Sequence, residues 1–224
     1  MMGDKLQVNP WTGIWVRPRE TIRAIIESNP GYLYPLLCII YGFPMLLQIA
    51  QNFALGDRYP VAGIVIVCLV LAGIIGALMI NISTALIYWT GKWIGGIGSY
   101  QNIRAAVAWA NAPNVVNILI WAINIAVFGG RIFQHNFVET PFIGGELAVI
   151  FLTSIVQVIV SVWALIILLK SLGEVQGFSA WKALLNVIIP IVLIFVGVSI
   201  LAWLFSMMTG AGTPGAPGST GTPQ

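Results

Sequence analysis

The chain has 224 residues, of which 58% are hydrophobic and only 8% are charged. A soluble domain carries about 25% charged residues, because its surface must interact with water. The composition therefore excludes a water-soluble fold and predicts an all-α integral membrane protein. Seven acidic residues and one histidine are too few for most catalytic or metal sites. We therefore expect a protein that is not an enzyme and that has no catalytic residues, no metal site and no cofactor.

The N-terminal segment, residues 1–33, is polar, aromatic and basic, and it lacks the short apolar region of a signal peptide. Within it, residues 18–28 form an amphipathic pattern with Ile22 and Ile25 on one face and Arg23 on another. A helix of this kind lies in the membrane interface with its apolar face toward the lipid. The segment is therefore predicted to contain an interfacial amphipathic helix, and a second such helix is predicted after Ser99, which can cap it.

Five apolar stretches follow, each long enough to cross a hydrocarbon core that requires about 17 to 25 helical residues. They cover residues 34–55, 61–89, 111–128, 147–169 and 183–208. The last 16 positions, 209–224, are small, polar or proline residues that cannot bury enough apolar surface to become ordered. The sequence therefore predicts a bundle of five transmembrane helices over residues 34–208, followed by a disordered tail.

The basic residues lie mainly on one side of the predicted spans. Eight of the ten occur in the N-terminal segment or in the second-to-third and fourth-to-fifth connections, whereas Arg58 and Arg131 occur in the other two connections. Cytoplasmic loops of membrane proteins carry an excess of Lys and Arg. This asymmetry predicts a cytoplasmic N-terminus, and the odd number of spans then predicts an external C-terminus.

Three segments on the basic side share a pattern of an apolar residue, a basic residue and an alanine. The basic members are Arg23, Arg104 and Lys182. We call these three residues the basic collar and predict that they engage anionic headgroups or an acidic partner surface. A repeated helical hairpin would explain the pattern, since Lys92 also matches Lys170 at an offset of 78 residues. Convergence of basic residues that snorkel to the membrane surface would explain it equally well.

Uncharged polar side chains occur within the predicted spans, whereas ionisable side chains are absent from the middle of each span. The candidates are Gln48, Asn52, Asn81, Asn117, Asn124 and Gln157. Amides at this depth commonly hydrogen-bond to neighbouring helices and thereby hold a bundle together. The alternative is a polar cavity between the spans, through which a small solute or a lipid would be transported. We favour the packing interpretation.

The order and spacing of three segments are similar to those of a known family of membrane proteins. They are residues 18–23, 99–113 and 176–183, which precede the first, third and fifth spans. On these segments and on the five spans, the chain resembles the Yip family, the Ypt-interacting proteins, and particularly their short prokaryotic members. The resemblance extends over about residues 10–208.

The resemblance implies an integral membrane protein whose eukaryotic relatives reside in the endoplasmic reticulum and Golgi, associate with Rab GTPases and affect vesicle traffic and membrane shape. Those relatives have a long cytosolic N-terminal region, whereas this chain has about thirty residues before its first span. This difference in the N-terminal region favours a location in the inner membrane of a prokaryotic cell. We expect a role in membrane organisation or trafficking-type interaction, with anionic lipids, other membrane proteins or a second copy of the chain as partners, and no nucleic acid.

Overall fold

The computed structural model describes residues 9–209, and residues 1–8 and 210–224 lie outside it. The predicted disordered tail, apart from its first residue, therefore lies outside the described part of the chain. Residues 9–209 contain helices, turns and loops but no strand. The prediction of an all-α fold is confirmed over this range.

The described residues form eight α-helices, and the longest connection between them, residues 129–145, lies between α6 and α7. These are α1 (Pro10–Val16), α2 (Pro18–Ser28), α3 (Tyr34–Asn52), α4 (Val61–Trp93), α5 (Tyr100–Ala110), α6 (Asn114–Phe128), α7 (Glu146–Gln176) and α8 (Ala180–Thr209). Five stretches within residues 9–209 are long and apolar enough to cross a membrane: α3, α4, the stretch containing α5 and α6, α7, and α8. The prediction of five spans is therefore confirmed.

Two of the long helices extend beyond the apolar stretches that predict them. Helix α4 continues to Trp93, and α7 continues to Gln176. Hydropathy marks only the part of a helix that suits the hydrocarbon core, whereas backbone hydrogen bonds can continue through polar residues such as Lys170 and Glu174. The helices therefore reach past the predicted ends of the second and fourth spans.

Helices α3 and α4 form an antiparallel pair with very close backbones. A Cβ atom at Gly42 would collide with the carbonyl oxygen of Ala72, and one at Gly76 would collide with the carbonyl oxygen of Cys38. Small residues at a crossing allow membrane helices to approach in this way. Gly73 lies beside the crossing rather than in it, since a Cβ there would meet only a side-chain atom at 3.5 Å.

The two predicted amphipathic helices, α2 and α5, are held by the bundle. Ile22 and Ile25 of α2 and Ile103 and Ala106 of α5 are fully buried in one apolar core with residues of α3, α4 and α7. Ser99 caps α5, because its hydroxyl accepts a hydrogen bond from the backbone N–H of Asn102. Protein rather than lipid covers both apolar faces, and the interfacial position of these helices stays a prediction.

Helix α8 is attached to the bundle mainly through its first half. The hydroxyl of Thr90 on α4 lies 2.7 Å from the side-chain oxygen of Asn186 on α8, and both residues are buried. From Ile191 onward, the large apolar side chains of α8 are exposed on the single chain. Lipid tails cover such a surface in a membrane, because they are as apolar as the side chains themselves.

The connections after α4 and after α7 pack against each other. The backbone N–H of Ile97 donates to the carbonyl oxygen of Gln176 at 3.3 Å. The buried side chain of Gln176 fills the space beside Gly91 and Gly96, where a Cβ atom would collide with its amide. This contact, which we call the glycine–glutamine junction, joins the hairpin of the second and third spans to the hairpin of the fourth and fifth spans. These are the two hairpins that a repeat would relate.

Candidate functional site

One end of the bundle collects most of the positive charge. Helices α3 and α8 begin there and α4 and α7 end there, together with α1, α2 and α5; we call it the basic end. Within the described residues it holds Arg17, Arg19, Arg23, Lys92, Arg104, Lys170 and Lys182. Trp93 and Trp181 at the same end are 70% and 79% exposed. Exposed tryptophans together with basic residues are typical of the membrane–water interface.

Arg23 of the basic collar is paired with an acidic side chain of a different helix. Its Nε atom donates to Oε1 of Glu174 on α7 at 2.7 Å. This hydrogen bond, assisted by the negative charge of Glu174, raises the pKa of the Arg23 guanidinium above its ordinary value. The pair attaches α2 to the end of α7, so Arg23 has a structural partner within the chain.

The other two collar residues lie over aromatic rings. The guanidinium of Arg104 is 4.7 Å from the ring centroid of Tyr34, and the ammonium of Lys182 is 4.8 Å from that of Phe178. Such cation–π contacts hold a cation in place without neutralising its charge. The structure therefore places the three collar residues at one end of the bundle, each with its own partner.

Asn81 joins three helices near the Arg104 side chain. Its Nδ2 atom donates to the hydroxyl of Tyr34 on α3 at 2.7 Å, and its Oδ1 atom lies 3.1 Å from the hydroxyl of Tyr100 on α5. Hydrogen bonds of this kind between membrane helices contribute about 0.6 to 2 kcal/mol each. The contacts of Asn81 are those of a packing residue.

A second polar site lies between α3, α6 and α7, in the other half of the bundle. Gln48, Asn124 and Gln157 line a cavity of about 120 Å³. The hydroxyl of Thr153 lies 3.4 Å from Oδ1 of Asn124 at its wall. A water needs roughly 10 to 15 Å³ of such volume, so the cavity has room for several waters or one small solute. Three of the six predicted amides therefore meet here.

The remaining two amides bond within their own helices. Gln48 donates to Oδ1 of Asn52 at 3.1 Å, and Asn117 donates to Oδ1 of Asn114 at 2.7 Å. Residues three or four positions apart on a helix are neighbours on one face, so their amides meet without a partner helix. These contacts stabilise single helices rather than the bundle.

The structure also forms a site that the sequence does not indicate. Arg17, Arg19 and Lys170 line an open cleft of about 360 Å³, together with Val16 and the start of α8. We call it the basic cleft. Its parts are far apart in the chain and meet only because α2 packs on α7. No spacing in the sequence could have placed Lys170 beside the N-terminal arginines.

The five apolar helices and the charged, tryptophan-flanked end define a multi-pass membrane protein. A family model described as the Yip1 domain matches residues 12–201, which is most of the chain. The protein therefore belongs to the Yip1 family, and the resemblance inferred from the sequence is confirmed. Comparisons with curated proteins and with solved structures gave no match.

Proposed function

We propose that this Yip1-family protein is a non-enzymatic organiser of its membrane that concentrates anionic lipids around its basic end. In this proposal the basic end lies in the cytoplasmic leaflet of a prokaryotic inner membrane, and the C-terminus lies outside. The observation that carries the proposal is the segregation of charge along the bundle. The basic collar contributes to this charge, since Arg23 and Lys182 are exposed and Arg104 is half-buried.

The segregation is large for a chain with so few charges. Within the described residues the basic end holds seven basic and three acidic side chains, an excess of four positive charges. The opposite end holds Arg58 and Arg131 against three acidic side chains, an excess of one negative charge. Each basic residue near an anionic leaflet contributes about 1 kcal/mol, screened within about 8 Å at physiological salt. Such a charge distribution attracts anionic lipids to one leaflet only.

The proposal predicts lipid selectivity in reconstituted vesicles of phosphatidylethanolamine and phosphatidylglycerol. Electron paramagnetic resonance of spin-labelled lipids measures the fraction that the protein immobilises. We expect phosphatidylglycerol to be favoured about fivefold at low salt, the equivalent of about 1 kcal/mol, and the preference to fall as salt screens the charges. Equal immobilisation of the two lipids at low salt would contradict the proposal and would favour a protein partner for the basic end.

The polar cavity supports a second candidate function, the transport of a small uncharged solute. The observation that favours it is the meeting of Gln48, Asn124 and Gln157 around one cavity between three spans. The same vesicles separate the two functions through their swelling rate in glycerol, measured by light scattering. Swelling faster than that of protein-free vesicles, and lost in Gln157→Leu, would favour transport. Equal swelling rates would favour membrane organisation.

A further inference from the structure

The basic cleft lies where the N-terminal helices meet the last hairpin. The end of α1 supplies Val16, and Arg17 follows it. Helix α2 supplies Arg19 and Glu20, α7 supplies Lys170, and α8 begins at the rim with Ala180. Its volume of about 360 Å³ is open to the surroundings rather than enclosed by the bundle. The cleft is therefore accessible to a ligand without any movement of the helices.

Packing on α7 brings two of the cations together. The Nη2 atom of Arg19 lies 3.5 Å from the position that a Cβ at Gly173 would occupy, so its guanidinium rests against α7. Gly173 lies three residues after Lys170, and residues with this spacing share one face of a helix. Arg19 and Lys170 therefore approach the same side of the cleft from two different helices.

The charge of the cleft is largely uncompensated. Arg17 has an ion pair with Glu20 at 3.6 Å, but both side chains are more than 60% exposed, and such exposed pairs are weak. The acidic residue of α7 in this region, Glu174, is bonded to Arg23 instead. Three cations therefore line the cleft against one weakly paired carboxylate. Arginine and lysine are the side chains that bind phosphate most often, because their N–H groups match its oxygens.

The apolar part of the cleft suits the hydrocarbon chains of a phospholipid. Val16 is 78% exposed directly beside Arg17, at a rim shared with Ala180. An exposed valine next to cations suits a ligand with a phosphate and an adjoining hydrocarbon chain. Exposed tryptophans at the same end place the cleft near headgroup depth. Helices α2 and α8 also begin here, and the partial positive charge of their first turns adds to the attraction for an anion.

We propose that the basic cleft is a binding site for the phosphate of an anionic phospholipid headgroup, held by Arg19 and Lys170 with Arg17 at the rim. This inference rests on the proposed function and gives it a defined site. The basic end attracts anionic lipids in general, whereas the cleft retains one of them. A free phosphate ion has the same chemistry, and the experiment below distinguishes the two sources.

Native mass spectrometry of the detergent-solubilised full chain, titrated with phosphatidylglycerol, tests the proposal. We expect the wild-type protein to retain one phosphatidylglycerol in preference to phosphatidylcholine. The double variant Arg19→Gln/Lys170→Gln should weaken this binding about tenfold, since two charged hydrogen-bond donors are lost. Both side chains are exposed, so the thermal stability of the variant should match that of the wild type.

Lys92→Gln is the matched control for Lys170→Gln. Both are exposed lysines in the last turns of a long helix, but Lys92 lies over the ring of Tyr88 and does not line the cleft. The control removes the same charge from the same end of the bundle. We expect less than about a twofold loss of binding for Lys92→Gln, as for a general surface charge. An equal loss in Lys92→Gln and Lys170→Gln would overturn the cleft site.

Competition with inorganic phosphate identifies the source of the ligand. We expect bound phosphatidylglycerol to remain when millimolar phosphate is added at constant ionic strength. Displacement by phosphate but not by chloride would overturn the lipid assignment and leave a site for free phosphate.

Failure of this proposal is distinct from failure of the proposed function. If the wild-type vesicles show no lipid selectivity, the proposed function fails; if the double variant binds as the wild type does, only the cleft fails.

Discussion

Gly42→Ala should lower the stability of the bundle by about 2 kcal/mol or more, although it adds a single methyl group. The new Cβ would collide with the backbone carbonyl of Ala72, and the reciprocal position, Gly76, faces the carbonyl of Cys38. Backbone atoms cannot rotate away as a side chain can, so α3 and α4 would have to separate along their contact. Thermal unfolding in detergent, followed by circular dichroism, measures the loss.

Gly73→Ala makes the same chemical change on α4, one turn before Gly76, and is the control. Its Cβ would meet only Cγ1 of Ile39, at an ordinary contact distance of 3.5 Å. Alanine also has a higher helix propensity than glycine. We therefore expect an unchanged or slightly raised unfolding temperature. Equal unfolding temperatures for Gly42→Ala and Gly73→Ala would show that the α3–α4 crossing is looser than described.

Gly91→Ala should destabilise the glycine–glutamine junction by about 2 kcal/mol, because the added Cβ would occupy the space of the Gln176 side chain. That side chain is buried, with only 1% of its surface exposed, and has little room to move. The junction holds the connection after α4 against the end of α7. Its loss should therefore loosen the two hairpins relative to each other and lower the unfolding temperature.

A double-mutant cycle with Gln176→Ala separates this collision from other effects. The three atoms nearest to a Cβ at Gly91 all belong to Gln176, so removing that side chain should remove the cost of the added methyl group. We expect a coupling of about 1 to 2 kcal/mol between the two changes, in the direction of rescue. Additive losses in the double variant would contradict the described junction.

The number of spans and the helical class could be predicted from the sequence, because bilayer thickness fixes how many apolar residues a span needs. The start of α5 could also be predicted, since the Ser99 cap depends only on neighbouring residues. In contrast, the periodicity of α2 predicts a covered apolar face but does not say what covers it. Ile22 and Ile25 would show the same pattern against lipid as they do against α7.

The contacts of the candidate site depend on packing between distant segments and were beyond sequence reasoning. Arg23 meets Glu174 across 151 positions of the chain. Of the predicted amides, Asn81 links three helices whereas Asn117 bonds within its own helix, although both lie in apolar segments. Amide spacing on one helix cannot reveal which face meets a neighbour. The basic cleft could not be predicted from the sequence either, because its residues come from distant parts of the chain.

The proposed function depends most directly on the side of the membrane that the basic end occupies. Single cysteines at Ser28, at the basic end, and at Asn136, in the opposite loop, report it, since both positions are exposed and the native Cys38 and Cys68 are buried. An impermeant maleimide applied to intact cells should label Asn136→Cys and spare Ser28→Cys, which should react only after the membrane is opened. Labelling of Ser28→Cys with protection of Asn136→Cys in intact cells would contradict the cytoplasmic position of the basic end.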